Sequence, residues 1–282
     1  MFIAISNQKG GVAKTTTAIN LGASLAAAGK RLLLIDMDPQ GNATMGSGVN
    51  KHELDANLYQ VLCEDLPARD AIIRQTPAGY DLIPANADLT AASIELLKFD
   101  RRQEVLARAL AGIYDDYDYI LCDCPPALNI LTLNAFVAAD RLLVPIQCEY
   151  YALEGLSDLL HTTKSVRRIN PRLEIEGFVR TLYDKRNNLA TEVSALLIKR
   201  FGDKVFNTII ARNVRLAEAP SHGLPVMLYD RHSSGAQNHY ALAGELMRRH
   251  VSENHAAEKY RAGNNNKQQT TINPISSTST QS

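Results

Sequence analysis

Two lysines five residues apart, Lys9 and Lys14, flank a glycine pair in the segment NQKGGVAKTTTAIN. Gly10 and Gly11 let backbone N–H groups turn inward around phosphate oxygens, and a helix starting just after them adds the positive end of its dipole. In such a loop Lys14 sits on the β- and γ-phosphates of a nucleotide, and the Thr15 hydroxyl takes one place in a Mg²⁺ shell. Val12, Ala13 and Thr16 complete the expected cradle, which runs from Lys9 to Thr16. The general nucleotide-loop pattern G-x-x-x-x-G-K-[ST] is not met, because Gln8 and Ala13 stand at its two glycine positions; K-G-G-x-x-K-T-T is. A second signal is YDYILCDCPPAL, an apolar strand ending at Asp123, which matches a Walker B aspartate holding Mg²⁺ through water. Pro125 and Pro126 then force the chain out of the strand. A third is LLLIDMDPQGNAT, with Asp36 and Asp38 at a strand end. A carboxylate beside a γ-phosphate can orient water even where it is too weak a base to take a proton outright. No N-K-x-D guanine-reading motif occurs, so ATP is expected over GTP.

Short apolar runs that must position these residues alternate with longer helical patterns. Strands are expected at 2–6, 31–36, 80–84, 117–123, 141–147, 175–182, 205–210 and 225–228, and helices at 15–28, 87–97, 102–113, 130–138, 152–169, 191–201 and 236–250. Runs such as ILCD and LLVPI, apolar throughout, suit a parallel sheet covered on both faces. The alternation implies an α/β fold of doubly wound, mostly parallel sheet, with ligands beyond the carboxyl ends of the strands. One domain is expected over 1–251. Residues 252–282 are rich in Asn, Gln, Ser and Thr and are expected to be disordered, since they bury too little to offset their ordering entropy.

Composition narrows the function classes. Hydrophobic residues make up 45% of the 282, charged residues 21%, and formal net charge is zero. Overall charge therefore argues neither for nor against a nucleic-acid partner. Cys63, Cys122, Cys124 and Cys148 have neither C-x-x-C spacing nor a disulfide pattern. His222 and His239 show no ligand spacing and are read as surface or packing residues. The N-terminus lacks signal-peptide character and no stretch reaches the roughly 20 apolar residues of a membrane span, so a cytoplasmic location is expected.

The lysine pair is where a family resemblance enters. The chain resembles the deviant Walker A ATPases, the group of ParA, MinD and the nitrogenase iron protein, and is most similar to the small Soj-like ParA partition ATPases. The stretches that carry it are NQKGGVAKTTTAINLG, DMDPQGNAT, YDYILCDCPPAL, VPIQCEYYALEGL and RNVRLAEAPSHGLPV. The resemblance implies that Lys9 crosses an ATP-dependent sandwich homodimer to the partner's phosphates. It also implies that Asp38 positions the attacking water, that Asp36 to Thr44 form a switch, and that Arg186 and Arg215 contact DNA backbone. Family members carry Gly where this chain has Ala13; if that position needs positive φ, its Cβ costs about 1 kcal/mol or more and loosens nucleotide binding. Only eight residues precede Lys9, so the DNA-binding extension of larger plasmid-type relatives is expected to be missing.

Local charge agrees with DNA. Between His161 and Arg215 there are twelve Lys or Arg against five Asp or Glu. On one face, such a surplus would bind phosphate backbone without sequence preference and with strong salt dependence. Lys164, Arg167, Arg168, Lys185, Lys199, Arg200 and Arg212 are lesser candidates beside Arg186 and Arg215. The expected activity is a slow ATPase stimulated by DNA and a ParB-type partner, associated with the nucleoid and moving chromosome or plasmid. The alternative is a MinD-like ATPase on a membrane surface, which needs an amphipathic basic helix that the polar tail does not offer.

Overall fold

The structure, a computed structural model, describes residues 1–270, with side chains described over 1–252 apart from Glu154. Its first half runs β1 (Phe2–Ile5), α1 (Lys14–Ala27), β2 (Leu32–Asp36), α2 (Asn42–Gly46), α3 (Leu58–Cys63), β3 (Asp81–Ile83), α4 (Leu89–Glu95), α5 (Val105–Leu110) and β4 (Tyr119–Asp123). The second half continues with α6 (Ile130–Ala138), β5 (Arg141–Gln147), α7 (Ala152–Val166), β6 (Glu174–Tyr183), α8 (Asn188–Phe201), β7 (Val205–Ala211), α9 (Val214–Glu218), α10 (Val226–Tyr229) and α11 (Ser234–Thr270).

The seven strands form one sheet in the order β3-β2-β4-β1-β5-β6-β7, all pairs parallel. Parallel neighbours require crossovers, and the helices that make them cover both faces. This is why LLLID and YILCD are buried at every position rather than at alternate ones. Phe2, Leu33, Ile35, Ile120, Phe136, Leu142 and Phe178 lie in one continuous core, where about 25 cal/mol per Å² of buried apolar surface favours the fold. Register then matters for chemistry: Asp36 pairs with Asp123 across β2 and β4, and Ile5 pairs with Asp123 across β1 and β4. The last residues of three adjacent strands thus point their following loops at one place.

Several expected elements are corrected. Residues 225–228 do not form a strand. Pro225 lies at the N-cap of the single turn α10, a position where its fixed φ and missing N–H suit the start of a helix. The Val226 N–H donates to Asn20 Oδ1 on α1 at 2.7 Å instead of to a sheet neighbour. The expected helix 102–113 narrows to α5 after a 3-10 turn, Arg102–Glu104, which Arg101 enters with φ 51°. Three short helices were not expected. Asn57 caps α3 in a reciprocal box with Gln60, and Asn213 caps α9. The α2 turn has no side-chain cap at Gly41; the carboxylate of Asp36, at the end of β2, takes that part.

The contacts within the chain divide it into two units, the first Met1–Ala243 and the second starting at Gly244, within α11. The α11 backbone continues to Thr270, beyond the expected end at His250; no proline and one glycine fall between 252 and 270 to stop it. Residues 271–282, the end of the tail expected to be disordered, lie outside the described residues. No helix among the described residues is long and apolar enough to cross a membrane.

Candidate functional site

The phosphate loop leaves β1 and is shaped by its backbone. Gly11 adopts φ 75° and Ala13 φ 64°, both left-handed. Glycine meets such an angle without strain, whereas alanine at position 13 carries a cost of about 1 kcal/mol. The positive φ foreseen for position 13 is therefore present. A Cβ built on Gly10 or Gly11 meets no atom within 4 Å, so the space beside both exposed glycines is open rather than filled by protein. The Ala13 carbonyl accepts from the Thr17 amide at 2.9 Å and the Thr17 hydroxyl at 2.7 Å, fixing the start of α1. Lys14 stands at that start, is buried, and donates from Nζ to the Lys9 carbonyl at 3.2 Å. Burial lowers its pKa, while its neighbours, Asp123 first, then Cys124 and Asp38, pull the other way.

Asp123 is wholly buried, and among the described residues neither carboxylate oxygen meets full hydrogen-bond geometry, the Thr15 side chain being its one close polar approach. Burial first, then the neighbouring Asp36, pushes its carboxyl well above the usual range; Thr15 and Lys14 act against that rise. An isolated buried polar group of this kind costs about 1–3 kcal/mol. Such a group is explained where an ion or its hydration shell completes the site. Among the described residues no three His, Cys, Asp or Glu gather to hold a metal by themselves. Thr15 and Asp123, beside the open glycine loop, instead offer the hard oxygen donors that would suit Mg²⁺.

Asp36 and Asp38 have separate tasks. Asp36 is buried and accepts from the Thr44 amide and hydroxyl, each at 2.7 Å, which is the missing cap of α2. Burial outweighs these bonds and the carboxyl rises to about 6. The Thr44 hydroxyl also accepts from the Ala85 amide at 3.0 Å. Asp38 is half-buried, and among the described residues its carboxylate accepts the Gln40 amide alone, at 3.0 Å. Of the two, Asp38 is free to meet a water. Gly41 completes that turn with φ 60°, where a Cβ would come within 2.5 Å of the Ala85 carbonyl oxygen.

Lys9 lies at the mouth of the loop, where its ammonium pairs with Glu149, beyond the end of β5; both side chains are partly exposed. Gln147 donates to the same carboxylate. Neither residue was foreseen, and a lone glutamate 140 positions away leaves no local signal. Thr181 was also missed. At the end of β6 its buried hydroxyl donates to the Val12 carbonyl at 2.9 Å.

The cationic candidates divide. Arg186 follows β6 and Arg215 follows β7, so both lie beyond the carboxyl end of the sheet, on the same side as the phosphate loop. The Tyr183 carbonyl accepts the Arg212 amide at 3.1 Å, which ties the two loops together. Each arginine already has acids. Arg186 is bidentate to Asp184 at 3.0 and 2.7 Å, and Arg215 pairs with Glu218 at 2.8 Å and Asp230 at 3.3 Å. Lys164, Arg167, Arg168, Lys199 and Arg200 lie at the C-terminal ends of α7 and α8, which run back towards the start of the strands. The basic surplus expected on one face is thus split between the two ends of the sheet.

Comparisons with known proteins agree with this geometry. The family model described as an AAA domain, AAA_31, matches residues 1–175. The chromosome partitioning protein ParA of Caulobacter vibrioides is 51% identical over 250 residues, covering 88% of this chain and 94% of its own length. The sporulation initiation inhibitor protein Soj of Bacillus subtilis is 51% identical over 245 residues, covering 86% and 97%. Among solved structures, a cobyrinic acid a,c-diamide synthase from Mycobacterium smegmatis, with an ATP analogue and magnesium bound, superposes with a TM-score of 0.78. It is 37% identical, and the match covers 89% of this chain and 96% of that one. A phosphate loop with paired lysines, a parallel P-loop sheet and half-identical partition proteins along most of the chain lead to one conclusion: this protein belongs to the AAA_31 family and, within it, to the ParA/Soj partition ATPases.

Proposed function

We propose that the protein is a Mg²⁺-dependent ATPase that closes into an ATP-dependent sandwich homodimer and binds DNA without sequence preference. With a ParB-type partner it segregates chromosome or plasmid from the cytoplasm, associated with the nucleoid. The observation that carries the reading is Asp123, buried without a partner beside Lys14 and an open glycine loop. Lys9 to Thr16 bind the phosphates, with backbone N–H groups and Lys14 supplying positive charge where negative charge must be held. Thr15 and Asp123 would hold the metal. Bound Mg²⁺ would neutralise the phosphate oxygens and so lower the barrier to attack. Asp38 orients the attacking water, contributing position.

Lys9 leaves Glu149 to reach the partner protomer's phosphates. A half-exposed ion pair is worth about 0–1 kcal/mol, so a phosphate can displace the glutamate. Arg186 and Arg215, at the same end of the sheet as the nucleotide, contact the DNA backbone. Two protomers double the number of weak phosphate contacts, and the contacts then act together.

The test is retention on arbitrary duplex DNA at low and high salt with ADP, with ATP and with a Lys14→Gln variant, alongside DNA-stimulated ATP turnover. ATP-dependent, salt-sensitive and sequence-indifferent retention, lost in Lys14→Gln, supports the reading. Retention that ignores nucleotide defeats it, and sedimentation with anionic vesicles instead of DNA would favour a membrane-surface role.

A further inference from the structure

We propose that Thr181 is a positioning residue that ties the phosphate loop to the loop of Arg186, so that nucleotide at Val12 sets the affinity for DNA. This rests on Arg186 as a DNA contact, as proposed above. The link is one hydrogen bond, from the Thr181 hydroxyl to the Val12 carbonyl at 2.9 Å, between residues that are both buried. It is not part of a strand ladder, because β5 lies between β1 and β6. Val12 stands between Gly11 and Ala13, two residues with positive φ, so its peptide groups have the loop's unusual orientation built into them. A phosphate that draws on the amides of this loop displaces the Val12–Ala13 unit as a whole, its left-handed φ kept, and with it the carbonyl that Thr181 holds.

The residues after Thr181 are built to transmit a displacement. Leu182 has φ 50°, a region that side chains other than glycine rarely enter. The register of β6 on β7 shifts between Arg180 and Tyr183. Both flanks of this irregular point are anchored. On one side the buried Arg180 guanidinium donates to Ser194 Oγ at 3.0 Å and to the Phe206 and Asn207 carbonyls at 2.8 and 3.1 Å. On the other, Tyr183 holds the Arg212 amide, Asp184 holds Arg186, and Asn187 caps α8 through the Leu189 amide at 3.0 Å. Leu182 is therefore a strained joint between a segment gripped by the phosphate loop and a segment carrying the arginines. Strain held by its surroundings marks an element with two arrangements, and a ligand that favours one of them shifts affinity at the other site.

The experiment uses the full chain as wild type, Thr181→Val and Thr181→Ser. Affinity for a mixed-sequence duplex is measured with ATP and with ADP, and affinity for a fluorescent ATP analogue is measured separately. Loss of the hydroxyl in Thr181→Val is expected to cut the ATP-to-ADP ratio of DNA affinities about fivefold or more, while ATP affinity stays within about threefold. Thr181→Ser, which keeps the donor, restores the ratio. A wild-type ratio in Thr181→Val overturns the proposal, as does a Thr181→Ser variant as uncoupled as the valine, which would assign the effect to methyl packing. If Thr181→Val binds no ATP or fails to fold, Leu182→Gly decides: relief at the joint is expected to narrow the difference between ATP and ADP, and an unchanged difference overturns the coupling. A wild-type protein whose DNA affinity ignores nucleotide defeats the DNA-carrier reading and this proposal with it.

Discussion

Replacing Ala13 by glycine separates two costs that a sequence cannot tell apart. Ala13 holds φ 64° and ψ 36° with no nucleotide present, so its left-handed strain of about 1–2 kcal/mol is incurred on folding and not on binding. Glycine removes that strain and is the better N-cap for α1. Against this, glycine gives the unfolded chain extra freedom worth about 0.4–1 kcal/mol. The net gain is about 0.5–1 kcal/mol, or roughly 2–4 °C in Tm for a domain of this size at the upper end. ATP affinity should change by less than about twofold, because the loop already has its bound-like backbone. Thermal unfolding without nucleotide, together with a fluorescent-nucleotide titration, reads both numbers. An Ala13→Gly variant that tightens ATP binding fivefold without gaining stability would show that the left-handed turn forms only on binding, and the argument would fall.

Asp123→Asn should stabilise the nucleotide-free protein by about 1–3 kcal/mol above pH 7, since it replaces a carboxyl that resists ionisation where it is buried. The same variant should lose Mg²⁺-dependent ATP turnover; a destabilised variant would mean that the carboxyl is satisfied by protein. His239 is buried, with Nδ1 at 2.8 Å from the Gly235 carbonyl and Nε2 unpartnered, and burial lowers its pKa to about 4. The unfolded imidazole takes its proton first, near pH 6.5, so stability complete above that pH declines as pH falls towards 4, by about 2 kcal/mol at pH 5. Denaturation midpoints at pH 7 and pH 5 should show this fall in wild type and a smaller one in His239→Leu. Asp184→Asn frees the highly exposed Arg186 from its bidentate partner and should raise DNA affinity several-fold with no change in Tm. Unchanged or weaker retention would remove Arg186 from the DNA contacts.

The phosphate loop was legible because its chemistry is local: glycines, lysines and threonines within eight positions dictate both backbone and charge. The central strands were legible for a similar reason, since ILCD and LLLID admit only a sheet covered on both faces. Residues 225–228 misled because four apolar residues fit a strand or a turn of helix equally well. The Asn20 side chain, 206 positions away, holds the first amide of the turn, and no local signal announces it. The α2 helix was hidden in the same way, its cap being the Asp36 carboxylate. Counting charge along the chain could not reveal that α7 and α8 carry five of the basic residues to the far end of the sheet. The partners that define the site's state, Glu149 for Lys9 and Thr181 for Val12, lie 140 and 169 positions away. Asp184 stood two residues from Arg186, yet nothing in the text says which way either side chain turns.

The carboxyl of Asp123 also bears on how long the protein survives. A site that holds an unsatisfied acid among buried apolar groups makes the vacant chain less durable than the loaded one. A ligand at a hundred times its Kd adds about 2.7 kcal/mol of stability by mass action. That difference lowers the unfolded fraction about a hundredfold, and the unfolded fraction is what proteases find. Protein without nucleotide is therefore expected to be cut faster in limited proteolysis than protein with nucleotide bound.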